Sequence, residues 1–211
     1  MNALSSMMLI LGTTNAGKQQ ELAALLEPFH IECRSLKDFP SAVHVAETGS
    51  TFADNAALKA VQQAQALNHW VLAEDSGLVV QALDGSPGVY SARFAGPEAS
   101  DADNNALLIE QLTDVPSSRR VAYYACHATL AAPDGTIKAI AEGRCYGRIA
   151  KSAHGTEGFG YDPYFIIPEY HQTFGELSQS VKGLISHRGR AIRAIIPMIV
   201  RNLKVNSASF F

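Results

Sequence analysis

The sequence predicts an α/β protein built on a mixed, twisted sheet flanked by helices, with two lobes around a central cleft. Three observations carry that prediction. Short apolar runs ending in glycine turns alternate with stretches of helical periodicity as far as Leu78, the pattern of β-α-β units. A long hairpin with Pro133-Asp134-Gly135 at its tip then breaks the alternation, which excludes a pure doubly wound sheet. Near the C-terminus the pattern returns to a single helical apolar face.

Residues 8–11 form a β-type run that ends at Gly12. Residues 17–26 carry Leu22, Leu25 and Leu26 at helical spacing until Pro28 stops them. Between them lies Gly12-Thr13-Thr14-Asn15-Ala16-Gly17-Lys18. A strand, a glycine-bearing turn and a helix start present backbone N–H groups and the positive end of the helix dipole to a phosphate, and Lys18 adds a full charge. An ordinary strand-to-helix turn with a solvated lysine has the same pattern. The spacing matches GxxxxGK, yet Gln19 stands where a Ser or Thr hydroxyl would bind magnesium.

Residues 31–36 read as a second strand. Thr51 to Asp54 is a capping-box start, and Phe52, Ala56, Ala60 and Ala64 follow at i+4 spacing in a helix to about Leu67, on which Lys59 reads as surface charge. Trp70 leads into Val71-Leu72-Ala73, a strand expected to stop at Glu74 and Asp75, with Ser76-Gly77 as its turn. Carboxylates at a strand end face the side of a sheet where ligands bind and can hold a hard divalent cation. Acids also follow strands simply because loops are solvated. The β-α-β connection puts the Gly12 turn and this acid pair at the same edge.

Residues 78–83 resume a strand, and a helix capped by Ser100 and Asp101 runs to Leu112. The paired strands, 120–130 and 137–148, form an accessory lobe at roughly 119–150 within one domain of residues 1–211. Residues 155–162 are a glycine-rich loop. In it Phe159 or Tyr161 offers a face on which a base could stack, and Asp162 can accept from a ring N–H; the same aromatics would also serve as core plugs. A short strand at 163–168 and a helical turn from Glu176 lead to Lys182. Ser186 can cap a last helix whose Ile192, Ile195, Ile196, Ile199, Val200 and Leu203 share one face, with a kink expected at Pro197 on the other. His187 and Arg188 then sit at the helix start, where the dipole disfavours cations, a placement that points to a ligand. Residues 1–6 are expected to fray, and Phe210 and Phe211 to be either docked or disordered.

Composition narrows the partner. A net charge of -3 gives no basic field for a nucleic-acid polymer, so a phosphate-bearing partner is expected to be a small molecule such as a free nucleotide. Cys33, Cys126 and Cys145 are odd in number and far apart, which argues against a disulfide framework or a zinc site and for a reducing cytoplasm. No leader peptide is expected, and no run reaches the roughly 18 apolar residues of a membrane span.

Taken in order, seven blocks resemble the inosine triphosphate pyrophosphatase family over nearly the whole chain. They are residues 13–18, 47–56, 73–78 (Ala-Glu-Asp-Ser-Gly-Leu), 85–93 (Gly-Ser-Pro-Gly-Val-Tyr-Ser-Ala-Arg), 158–163 (Gly-Phe-Gly-Tyr-Asp-Pro), 176–182 and 186–188 (Ser-His-Arg). The resemblance implies a homodimeric, magnesium-dependent enzyme that cuts inosine, deoxyinosine or xanthosine triphosphate to the monophosphate and pyrophosphate. It implies Asp75 as general base, with Lys18 beside it, and Asp75, Glu74 and Glu47 as metal ligands. Substrate contacts are implied at Thr13, Thr14, Asn15, Ala16, Gly17, Lys18, Ser76, Phe159, Gly160, Tyr161, Asp162, Lys182, His187 and Arg188. Two positions depart from the family pattern: Glu74 where bacterial members usually have Asp, and Ala46 where many carry an acid.

A triphosphate needs cations before it needs a nucleophile, and Lys18, Lys182 and the first helix start supply them in this reading. With no Ser-His-Asp or Cys-His set apparent, water is expected to attack the α-phosphorus directly. Arg188 can only donate, so it should favour a purine with oxygen at C6 over adenine. The rival expectation is a P-loop-like nucleotide kinase or a non-catalytic nucleotide sensor.

Overall fold

The computed structural model describes residues 7–208. The expectations for residues 1–6 and for Phe210 and Phe211 lie outside the described residues. β1 (Met7–Leu11) leads to α1 (Ala16–Leu26), β2 (Ile31–Ser35), α2 (Phe52–Leu67), β3 (Val71–Val80) and α3 (Asp101–Gln111). The hairpin strands β4 (Val121–Ala131) and β5 (Ile137–Ile149) follow, then β6 (Phe165–Ile167), β7 (Gln172–Thr173), α4 (Gln179–Ile185) and α5 (His187–Ala208). The hydrogen-bonded strand order is β2-β1-β3-β4-β5-β6-β7. β1 runs parallel to β2 and β3, whereas β5, β6 and β7 pair antiparallel, so the sheet is mixed as the sequence predicts.

One expectation changes. β3 does not stop at Glu74 and Asp75; it is one ten-residue strand that carries them mid-length. Both acids have basic partners, described below, so the strand can bury them without ending. The hairpin strands β4 and β5 hold interior places in the sheet order.

The chain groups into two compact units. One comprises the residues up to Asp75, His127–Glu142 and the chain from Arg190 onward; the other comprises Ser76–Cys126 and Gly143–Gly189. In the first, Ala60, Ala64 and Leu67 of α2 pack with Ile10, Val71 and Ala73 of the parallel strands. Leu9 and Ile10 are wholly buried. α5 is continuous across Pro197, and Ile192, Ile195, Ile196, Ile199 and Leu203 form its buried stripe. The second unit has its own core, in which Leu78, Leu108, Leu112, Tyr124, Phe165 and Phe174 pack together. There the buried Arg120 donates to the carbonyls of Leu112, Val115 and Ala150, closing the end of α3.

Helix starts are set by side chains legible in the sequence. Thr51 and Asp54 form a reciprocal capping box on α2, as do Ser100 and Asp103 on α3. Hydrogen bonds from Thr51 hold the Asp54 carboxyl below its ordinary 3.8, and bonds from Ser100 do the same for Asp103. Their folded values are depressed, so the stabilisation is present above the ordinary aspartate range and disappears as pH falls through the folded values. The melting midpoint is therefore expected to drop on acidification below about pH 4. An Asp54→Asn, Asp103→Asn double variant should flatten that drop; thermal melts between pH 3 and 7 check it.

Candidate active site

In the first unit the turn after β1 lies beside β3, because Gly12 N–H donates to the Leu72 carbonyl at 2.8 Å. Asn15 caps α1 by accepting from Lys18 N–H at 2.9 Å. Gln19 fastens the loop from the other side: its amide donates to the Thr13 carbonyl at 2.7 Å and to Ser35 Oγ at 3.1 Å. Lys18 then extends to Glu74, Nζ to Oε1, at 3.2 Å. The anion cradle and the acid pair, which the sequence assigned to one edge, are thus joined by an ion pair.

A second ammonium completes this set. Lys59 of α2 donates to Glu47 Oε1 at 2.8 Å and to Asp75 Oδ1 at 2.9 Å. Asn55, fully buried one helical turn earlier, donates to Asp75 Oδ2 at 3.3 Å and accepts from Gly49 N–H at 2.8 Å, so it ties the 47–50 loop to the acid. Burial pushes the Asp75 carboxyl above its ordinary 3.8, a rise that Lys59 and Lys18 oppose without cancelling. Burial also works against the charge on Lys59, but Asp75, Glu47 and Glu74 outweigh it and hold the ammonium above its ordinary 10.5. The site therefore keeps the Lys59 ammonium charged beside a carboxyl that is a stronger base than an exposed aspartate.

Sequence reasoning missed Lys59 and Asn55. Lys59 was read as surface charge because one lysine on a helix carries no pattern. The available signal was spacing: Asn55 and Lys59 are four apart and so share a helix face.

In the second unit Phe159, Asp162, Lys182 and Arg188 come together. Asp162, 2% exposed, accepts at Oδ2 from Phe159 N–H at 2.9 Å and from Lys182 Nζ at 2.5 Å. Gly158 has φ of +79°, and a Cβ there would run into the Asp162 carboxylate, so glycine is required beside that acid. The Lys182 ammonium lies 4.8 Å from the Phe159 ring centroid and the Arg188 guanidinium 5.6 Å, both within cation–π range. Arg188 also donates to Ser76 Oγ at 2.9 Å. Ser186 caps α5 by accepting from Gly189 N–H at 3.1 Å, which fixes the helix start that carries His187 and Arg188.

The structure places three of the residues assigned from sequence as follows. Lys182, expected among the phosphate cations, is buried with the Phe159 and Asp162 group. Tyr161 is not an open stacking face: it is 4% exposed within the core, and its hydroxyl donates to the Ser91 carbonyl at 2.8 Å. Phe159 is half-buried and so is the more accessible aromatic of the pair. His187 stacks on Tyr124 at 4.6 Å between ring centroids.

Among the described residues no three His, Cys, Asp or Glu side chains are grouped so as to hold a metal ion. The Lys59 ammonium binds the two acids that would start such a group.

A capped helix start, paired ammonium groups and buried carboxylates in one unit, with an aromatic and two cations in the other, are the groups of an α/β protein of the nucleotide-processing class. The sequence model of the Ham1 family matches residues 9–198. The chain belongs to that family. It is 52% identical over 201 residues to a dITP/XTP pyrophosphatase of Rhodopirellula baltica, covering 95% of this chain and 97% of the relative. A dITP/XTP pyrophosphatase of Exiguobacterium sp. is 49% identical over 198 residues, covering 94% and 100%. Among solved structures, a HAM1 protein from Coxiella burnetii superposes with a TM-score of 0.82 at 35% identity, covering 92% of this chain and 98% of that one. The Staphylococcus aureus Ham1 protein gives 0.78 at 37%, covering 89% and 95%.

Proposed function

We propose that this chain hydrolyses non-standard purine nucleoside triphosphates, those of inosine, deoxyinosine and xanthosine, to the monophosphate and pyrophosphate. The observation that carries the reading is the convergence of Lys18, Lys59, Glu47, Glu74 and Asp75 in one unit, with Asp75 more basic than an exposed carboxylate. The relatives named as dITP/XTP pyrophosphatases support the substrate class.

In this reading the triphosphate meets Lys18 and the N–H groups of Ala16 and Gly17, since Asn15 has already taken that of Lys18. Asp75 removes a proton from water, whose oxygen bonds to the α-phosphorus while the bond from that phosphorus to the α,β-bridging oxygen breaks. Pyrophosphate leaves with the electron pair, and no residue is covalently modified. The donor set is all oxygen, which suits a hard divalent ion such as magnesium, and Glu47, Asp75 and Glu74 would hold it. When bound, such an ion supplies charge neutralisation to the phosphate oxygens. Binding it requires Lys59 to release Glu47 and Asp75.

The base end is assigned to Phe159, Asp162, Lys182, Ser76 and Arg188. The two sets are adjacent in sequence at the bond between Asp75 and Ser76, where β3 leaves one unit for the other. A homodimer is part of the proposal, supported by exposed apolar side chains such as Tyr90, Tyr146 and Leu184 that a second copy would cover. Cytoplasmic placement is supported by Cys33, Cys126 and Cys145, none of which is in a disulfide among the described residues. Among the described residues no helix is long and apolar enough to cross a membrane.

The test is product analysis with inosine triphosphate and magnesium. Monophosphate plus pyrophosphate is the expected outcome. Diphosphate would mean γ-transfer and absence of turnover would mean a sensor, and either result overturns the proposal. Gln19, tied to Thr13 and Ser35 where a kinase-type loop needs a hydroxyl, stands against γ-transfer.

A further inference from the structure

The loop that presents Phe159 is held from outside by two side chains of α3 to which the reaction assigns no part. Gly160 N–H donates to Asp101 Oδ2 at 2.7 Å, and Gly160 C=O accepts from Asn105 Nδ2 at 2.9 Å. Asp101 and Asn105 are four apart, so one helix face meets both polar groups of one residue. Gly160 needs such a restraint. Its φ is +61°, a Cβ there would meet nothing within 4 Å, and glycine has the widest backbone freedom of any residue. Inside the loop Phe159 and Asp162 bond to each other.

Asn105 carries a second sign of purpose. It is only 9% exposed, and its Oδ1 is buried with no hydrogen-bond partner among the described residues. A buried acceptor without a donor opposes folding, and an apolar side chain of similar size would avoid that penalty. The amide therefore contributes little to stability that an apolar residue would not, and what it adds is the bond to Gly160.

We infer that Asp101 and Asn105 are positioning residues for the purine base. By fixing the Gly160 peptide groups they hold the Phe159 ring against Lys182 and Arg188, and so set both affinity for the base and discrimination between purines. This rests on the reading of Phe159 as the stacking residue.

The experiment compares steady-state kinetics of the full chain with inosine and adenosine triphosphates in Asp101→Ala, Asp101→Asn, Asn105→Ala and Phe159→Ala. Asp101 is exposed, so its variants are expected to fold even if Asn105→Ala does not. Asp101→Ala should raise KM for inosine triphosphate about tenfold, keep kcat within about twofold, and narrow the inosine-to-adenosine ratio of kcat/KM. Asp101→Asn, which still accepts a hydrogen bond, should restore most of the loss. A merely structural role would lower kcat or the melting temperature for both nucleotides alike and leave the ratio unmoved, and that result would overturn the inference. If Asp101→Ala is silent while Phe159→Ala raises KM, the positioning role fails and the base site stands. If Phe159→Ala is also silent, the base-site reading fails and this inference fails with it.

Discussion

Asp75→Asn is expected to lower kcat for inosine triphosphate by about 10³-fold while nucleotide binding stays within about threefold, because a general base contributes rate and little ground-state affinity. The substitution is nearly isosteric. Lys59 keeps its bond to Glu47 at 2.8 Å, so the buried ammonium retains an anionic partner, and the new side-chain oxygen can still accept from Asn55. Loss of rate should therefore appear without loss of fold. Pyrophosphate release measures kcat, and calorimetric titration with the nucleotide measures binding. A kcat within tenfold of the parent would remove Asp75 from the proton transfer.

The second large effect is expected at Arg188. Its guanidinium, 2% exposed, bonds Ser76 and lies over Phe159, and a group with donors alone pairs with a C6 oxygen and opposes an amino group. Sites built around buried hydrogen-bonding groups can reject a mismatched ligand by about 10⁴. Arg188→Met keeps an unbranched apolar stem and deletes the charge, so it should cut the inosine-to-adenosine ratio of kcat/KM by about 10²-fold. A ratio that stays put while the melting temperature falls would assign Arg188 to packing alone.

Much of the first unit was legible because its signals are local. The turn from Gly12 to Lys18, the Thr51 cap and the alanine stripe of α2 each follow from short-range spacing, and a β-α-β connection has few topologies. The mixed sheet was equally legible from the hairpin. Glu74 and Asp75 misled the strand boundary because two acids in a row look like a strand end. Their burial depends on Lys18 and Lys59, which come from elsewhere in the chain, and no local pattern reports such pairing. The same limit hid Asn55, Lys59, Asp101 and Asn105, helix residues whose partners are 16 to 59 positions away apart from nearer ties within the 47–59 stretch. Tyr161 and Phe159, two apart in one loop, were indistinguishable until burial separated them.

Gln19 also bears on how fast and how tightly a nucleotide can be captured. By joining the Thr13 carbonyl to Ser35 it gives the anion-binding turn its shape through the protein's own atoms. Segments that order only on contact with ligand lose affinity to that ordering. Here the turn is held by those two bonds, so under the proposed function an incoming triphosphate would lose little affinity to ordering it.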